Sequence, residues 1–326
     1  MINFEYMRAS TVKAAVAALT NDNTQFIAGG SNLVDLMKKG VTTPLKLVDI
    51  TNLPLKNIEK AGGGLRLGAL ALNSEAADHE LVIREQPLLS LALKAGASAQ
   101  IRNMATVGGN MMQRTRCPYF YNTDMACNKR QPGSGCGALQ GMNRMHAIFG
   151  ASDKCIAVHP SDMCVALVAL DTTVIVSGPK GDRRIPFQQF HRLPGDTPQK
   201  DNTLERGELI VAVEIQDNQF KEHVHYLKVR DRTSFAFALV SVAAALNMQG
   251  DTIRDVRLAM GGVAHKPWRL EEAETFLKGK TASSAIFQQA AALSMRNAKG
   301  YGHNDFKLKL APNAIIEALK KASGKA

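Results

Sequence analysis

Acidic residues are scarce in this 326-residue chain: 29 Asp and Glu stand against 40 Lys and Arg, a formal charge of +11. Such an excess can meet nucleic acid, an anionic membrane surface or an acidic protein. Aromatics are also few, at 6% with one tryptophan. The basic residues are spread out without an RNP-type aromatic pattern, a zinc-finger helix or a basic zipper region, so nucleic-acid binding is unsupported. No apolar run is long enough to span a bilayer, which argues against membrane insertion. Met1-Ile2-Asn3-Phe4-Glu5-Tyr6 lacks the basic start and apolar core of a signal peptide. An acidic subunit is the simplest complement to the charge, and any export would need a partner's signal. No nucleophile, base and orienter are advertised together, so the hard chemistry is expected to belong to cofactors.

What the chain does have is cysteine in one place. Of five cysteines, Cys117, Cys127, Cys136 and Cys155 fall in a single stretch studded with glycine, proline and arginine. Thiolates ligate soft metal centres, and four from one irregular loop can satisfy a zinc ion or an iron-sulfur cluster. Structural zinc sites bring ligands in as close pairs such as C-x2-C. Here the intervals are x9, x8 and x18, which suit a larger inorganic core around which the loop must wrap. A 4Fe-4S cluster is the first reading; zinc and scattered buried thiols remain the alternatives. Arg114, Arg116, Lys129, Arg130 and Arg144 lie around the loop, either as cations that stabilise cluster reduction or as a solvated run. Cys164, in an apolar run, reads as a buried free thiol. His146 and His159 are weak spare ligands, because four thiolates already suffice. Cysteines used for a cluster imply assembly in a reducing cytoplasm.

The rest of the chain reads as a mixed fold. Ser10 can cap a helix with Val12, Ala15, Val16 and Leu19 on one stripe, ending near Asn21-Asp22-Asn23. A strand at Gln25-Phe26-Ile27 leads through Ala28-Gly29-Gly30-Ser31-Asn32 into a helix from Leu33 that Gly40 can close. Strands follow at 45–50 and 65–70, and a helix at 88–97. Three antiparallel strands are expected at 208–215, 225–229 and 236–246, covered by helices near 285–295 and 315–319. His265-Lys266-Pro267-Trp268 is either an interface loop or ordinary packing against the sheet.

Two glycine pairs recur in similar settings: Gly29-Gly30, and Gly108-Gly109 within Thr106-Val107-Gly108-Gly109-Asn110. Absent side chains let backbone N–H groups approach a diphosphate closely. Neither pair matches G-x-G-x-x-G or the G-x-x-x-x-G-K-[ST] phosphate loop, so neither a nicotinamide-type Rossmann site nor a nucleoside triphosphatase is supported. Asp162 is acceptor-only when ionised and suits paired hydroxyls. It or Ser161 could equally cap the following helix.

Ile27-Ala28-Gly29-Gly30-Ser31-Asn32-Leu33 and Arg102-Asn103-Met104-Ala105-Thr106-Val107-Gly108-Gly109-Asn110 resemble the two flavin-binding signatures of the FAD-binding medium subunits of molybdenum hydroxylases. His159-Pro160-Ser161-Asp162 and Lys228-Val229-Arg230-Asp231 also match that pattern, so the resemblance spans nearly the whole chain. It implies an α+β fold with a two-part FAD-binding domain of the vanillyl-alcohol-oxidase/PCMH type at 1–58 and 59–200. An iron-sulfur insertion at 113–156 and a C-terminal domain at 201–326, with a three-stranded antiparallel sheet and helices, complete it. By the same resemblance both glycine loops wrap the FAD pyrophosphate, Asp162 holds a sugar or ribityl hydroxyl, and Lys228 approaches the flavin. The cysteine insertion resembles that of the medium subunits of bacterial periplasmic aldehyde oxidoreductases, which carry a 4Fe-4S cluster. Partners are then a 2Fe-2S small subunit and a molybdenum-cofactor large subunit in a heterotrimer. The location is periplasmic by co-export, or alternatively cytoplasmic. Relatives that reduce hydroxybenzoyl thioesters would use the same parts in reverse, and xanthine dehydrogenases share them.

Overall fold

The computed structural model describes residues 1–19 and 23–325, and three sheets follow one another along it. β1 (Glu5–Arg8), β2 (Thr24–Ile27) and β3 (Lys46–Asp49) run parallel in the order β1-β3-β2. Parallel neighbours need crossover connections, and the helices Val12–Ala18 and Leu33–Lys38 belong to them. Thr11, not Ser10, caps the first of these helices, its Oγ1 accepting the Ala14 N–H at 3.0 Å. Two adjacent hydroxyls are equivalent in a pattern argument, and backbone geometry chose the second. The helix ends at Ala18; Asn21-Asp22, where it was expected to stop, lies outside the described residues.

The second sheet contains β4 (Ile58–Ala61), β5 (Gly64–Gly68), β6 (Thr173–Gly178), β7 (Gly181–Pro186) and β8 (Leu209–Gln216), in the order β4-β5-β8-β6-β7 with every pair antiparallel. This corrects one expectation. The strand near 208–215 is the central member of this sheet, not part of the C-terminal one. Its Leu209–Val213 run is buried without interruption, as a strand covered on both faces should be.

The C-terminal sheet has four strands rather than three: β9 (His223–Val229), β10 (Val240–Gln249), β11 (Thr252–Gly261) and the short β12 (Trp268–Arg269), antiparallel in the order β12-β11-β10-β9. β11 escaped the sequence reading because Arg254, Asp255 and Arg257 interrupt its apolar positions. Along β10 the side chains alternate between two cores. Val242, Ala244 and Leu246 pack with Phe287, Ile315 and Leu319 of the covering helices Ser284–Ser294 and Lys307–Ser323, while Ala243 and Ala245 face the other way.

That other side is filled by the helix Asp162–Ala169, all eight of whose residues are buried. It sits in one core with Val174 and Val213 of the second sheet and Ala243 and Ala259 of the third. A helix apolar all round belongs inside, and its capped first turn is thereby fixed between the two sheets. The segment 113–156 is mostly turns, with one short helix at Pro118–Tyr121. It is tied down at several points: Ile148 N–H donates to Val263 O at 2.8 Å, and Asn304 Nδ2 donates to Ala147 O at 2.9 Å. Among the described residues no helix is long and apolar enough to cross a membrane.

Candidate functional site

The two glycine loops meet. A Cβ added at Gly29 would lie 1.7 Å from the Met104 carbonyl oxygen, so the first loop rests directly on the backbone entering the second. Gly30 adopts φ +69°, the left-handed region that favours glycine, and its carbonyl accepts the Val34 N–H at 2.9 Å. Gly108 donates to Ala69 O at 2.8 Å and would place a Cβ 3.0 Å from the Ala69 Cβ. The loops differ in their free donors. Among the described residues no acceptor within the chain takes the N–H of Gly30, Ser31 or Asn32, whereas Val107, Gly108, Gly109 and Asn110 all donate internally, the third to Thr106 Oγ1 at 3.2 Å.

Beside the loops opens a cleft of about 850 Å³. Ser31, Asn32, Ala105, Gly109, Asn110, Asp162 and Lys228 line it; Ile27, Ala28, Gly29, Gly30, Leu33, Thr106 and Gly108 are not part of its lining. Arg116, Tyr121, Met145, Asp231, Arg232, Phe235 and Phe237 form further lining that the sequence reading had not assembled. Phe235 is a non-glycine residue at φ +50° and is exposed.

Ser161 and Asp162 divide the two jobs open to either. Ser161 Oγ caps the buried helix by accepting Cys164 N–H at 3.1 Å, and donates to Asn110 Oδ1 at 2.5 Å. Asp162 is left free for side chains, accepting Tyr226 Oη–H at 2.8 Å and Lys228 Nζ–H at 2.7 Å. Lys228 also donates to Ala95 O at 3.0 Å, and both charged side chains are buried. Burial and the Asp162 charge push the Tyr226 phenol well above its ordinary range, so it stays a donor. Tyr226 was missed because it lies 64 residues from its partner. Its alternation with Lys228 on β9 was the one available signal.

The four loop cysteines line one enclosed space, with Lys129 and His146 in the same wall. None of them is in a disulfide; Cys127 and Cys136 face each other across a two-residue β-bridge. Burial pushes Cys117 up to about 12 and Cys155 up to about 11, neighbouring thiols adding to both. Among the described residues no three of these sulfurs close within 4.8 Å of one another; the trio that does is His159, Cys164 and His191. That trio is a poor metal cage. Ser161 N–H donates to His159 Nδ1 at 3.4 Å, so in the neutral ring the hydrogen sits on Nε2 and leaves no lone pair there. Burial and the second imidazole push His159 well below its ordinary range, and burial brings His191 down to about 4. Cys164 is a buried free thiol, as its apolar run suggested.

Most of the loop's cations are bonded within the protein rather than solvated. Lys129 has a side chain only 1% exposed; it ion-pairs with Asp201 and donates to Pro198 O at 2.8 Å and to His265 Nε2 at 2.7 Å. Arg114 joins the same carboxylate at 2.7 Å. Burial alone would raise the Asp201 carboxyl, but Lys129 and Arg114 hold it well below the usual carboxylate range. Burial and the Lys129 ammonium push His265 down to about 4. Arg130 donates to the carbonyls of Tyr119 and Phe120, closing the short helix. Arg116 bonds Tyr121 and lies 5.2 Å over the Phe237 ring, while Arg144 pairs with Asp231 on the surface. Trp268 stacks on Phe149 at 5.2 Å, so that loop is packing.

The family described as FAD binding domain in molybdopterin dehydrogenase matches residues 2–215, and the CO dehydrogenase flavoprotein C-terminal domain matches 225–322. The chain is 48% identical over 326 residues to the aldehyde oxidoreductase FAD-binding subunit PaoB of Escherichia coli, covering 99% of each chain. It is 30% identical over 291 residues to the glyceraldehyde dehydrogenase medium chain of Sulfolobus acidocaldarius, covering 89% of this chain and 86% of the other. A structure of carbon monoxide dehydrogenase from Hydrogenophaga pseudoflava superposes over 100% of both chains with a TM-score of 0.78 at 24% identity, a likeness of fold. With both domains matched and near-half identity from end to end, the chain belongs to the family of FAD-binding medium subunits of molybdenum hydroxylases.

Proposed function

We propose that this chain is the FAD and 4Fe-4S electron-transfer subunit of a molybdenum-containing aldehyde oxidoreductase. It would pass electrons from a molybdenum subunit and a 2Fe-2S subunit to a terminal acceptor. The observation that carries the reading is a shared wall. Arg116 and Met145 line the cleft, while their sequence neighbours Cys117 and His146 line the cysteine space. Flavin in the cleft and a cluster among the cysteines would thus be held by adjoining residues of one segment. The 48% identity to a subunit named for aldehyde oxidation and FAD binding supports the substrate class.

The residues fit both groups. For FAD, the open N–H groups of Gly30, Ser31 and Asn32 suit a pyrophosphate, and Gly29 has no room for a side chain where the loops touch. Asp162 keeps lone pairs beyond those used by Tyr226 and Lys228, enough for a ribityl or sugar hydroxyl. Lys228, held by Ala95 O and Asp162, can then present its remaining hydrogen toward the flavin. For the metal, a zinc ion with bonds near 2.3 Å would need its sulfurs roughly 3.8 Å apart. The wider spread of these thiols suits a cube of irons. When bound, FAD supplies the exchange between paired and single electrons and the cluster supplies single-electron relay. The protein's own part is to seat both, exclude water and surround a negative cluster with the buried Lys129 ammonium.

Replacing Cys127 with serine and measuring flavin reduction in the assembled complex tests the relay. The reading predicts a rate at least tenfold lower; an unchanged rate would leave the cluster only a structural role.

A further inference from the structure

His146 stands where the cysteine space meets the cleft. Its Nε2 lies 3.1 Å from Cys117 Sγ, and the residue is 3% exposed. The backbone holds it in place: its N–H donates to Asn143 O at 2.9 Å, and its carbonyl accepts Lys307 Nζ at 2.9 Å and Asn304 Nδ2 at 3.3 Å. Lys307 is itself fully buried and takes Gly262 O, at 2.7 Å, as its second acceptor. Asn304 and Lys307 thus anchor the backbone of the segment at the residue that carries this imidazole. The Tyr119 ring lies beside it at 6.5 Å.

A metal-bound thiolate offers only lone pairs, so the hydrogen between these atoms must sit on the imidazole Nε2. His146 Nδ1 then carries a lone pair, and among the described residues it has no partner. We infer that His146 donates an N–H···S hydrogen bond to the Cys117 sulfur and would thereby raise the reduction potential of a cluster held by that thiolate. The inference rests on the cluster reading above. The physical basis is charge: reduction makes a four-thiolate cluster more negative, and a donor aimed at one sulfur stabilises the reduced state more than the oxidised one. His146 acts through Cys117 and is a positioning residue, with no contact to substrate.

The test uses the full chain purified with its metal, and two variants, His146→Leu and His146→Gln. Redox titration followed by electron paramagnetic resonance should show the Leu variant's cluster shifted to a more negative potential with iron content unchanged. The Gln variant, which keeps an amide donor, should recover part of the shift, and the flavin potential should stay put in both. A Leu variant with full iron and the wild-type potential overturns the inference. Should the Leu variant lose its iron, wild-type protein labelled with 15N in histidine alone decides. A 15N coupling on the reduced cluster supports the hydrogen bond and its absence overturns it. Wild-type chain without iron or sulfide overturns the cluster reading too, a result distinct from iron present with potential unmoved.

Discussion

The cleft and the cysteine space lie against each other but are built in opposite ways. The cleft is made mainly where regular elements begin and end: β2 turning into the helix at Leu33, the short helix Val107–Met111 that holds Gly108 and Gly109, the first turn of the helix at Asp162, and β9, with Arg116, Tyr121 and Met145 of the 113–156 segment closing one side. The cysteine space is carried by a segment with almost no regular structure, held by side chains and by backbone bonds such as those of Ile148 and Phe149 to Val263 O. A scaffolded site is set by the fold; one carried by an irregular segment depends on what it encloses. The two should therefore fail independently.

The largest effect that sharpens this contrast is expected at Cys155, which is buried in the loop. In Cys155→Ala, iron and acid-labile sulfide should fall to a small fraction of the wild-type content while bound flavin is retained, as measured by metal analysis and flavin release. Parallel loss of flavin would mean that the 113–156 segment organises the cleft as well. The converse variant is Gly29→Ala, whose new Cβ would collide with a backbone carbonyl. Overpacking against backbone should cost about 3 kcal/mol and most of the flavin occupancy, with iron largely kept. Thermal melts with flavin fluorescence would read both.

Acid should erode stability through buried histidines rather than through the cleft. His191 and His265 have folded values lowered to about 4, below the ordinary 6.5. Between those limits the unfolded chain binds more protons, so stability rises with pH across about 4 to 6.5, by about 1.4 kcal/mol per pH unit for each such group. Asp201, with its carboxyl held low, adds a contribution that is complete at neutral pH and is lost below the ordinary carboxylate range. His191→Gln should flatten the slope of denaturant midpoint against pH by about one proton's worth; an unchanged slope would show that His191 is not buried neutral. The smallest effect belongs to Arg144→Gln, which removes an exposed ion pair with Asp231. Its melting temperature and cofactor content should match the wild type, and a marked loss of flavin would place that pair in the cleft's machinery.

Local patterns carried most of what was legible in advance. The glycine loops, the helix after Asp162, the C-terminal helices and the cysteine set all announce themselves within short windows of sequence. What stayed hidden was pairing at a distance. Leu209–Gln216 is an unmistakable strand, but only its ladders with β5 and β6 say which sheet owns it. Lys129 was left between a cluster-side cation and a solvated one, and its ion pair was not foreseen because its partner Asp201 lies 72 residues away. Asp162 and Lys228 were chosen separately, and their direct ion pair across 66 residues was not foreseen. His146 was discounted as a ligand; its nearness to the Cys117 sulfur is a three-dimensional fact that spacing does not encode.

The most direct measurement is the composition of the purified chain: flavin, iron, acid-labile sulfide and zinc, together with the visible absorption spectrum. The account predicts one flavin per chain, iron and sulfide in equal amounts, and a brown protein with no stoichiometric zinc. Zinc without sulfide, or a chain holding neither flavin nor iron, would contradict it.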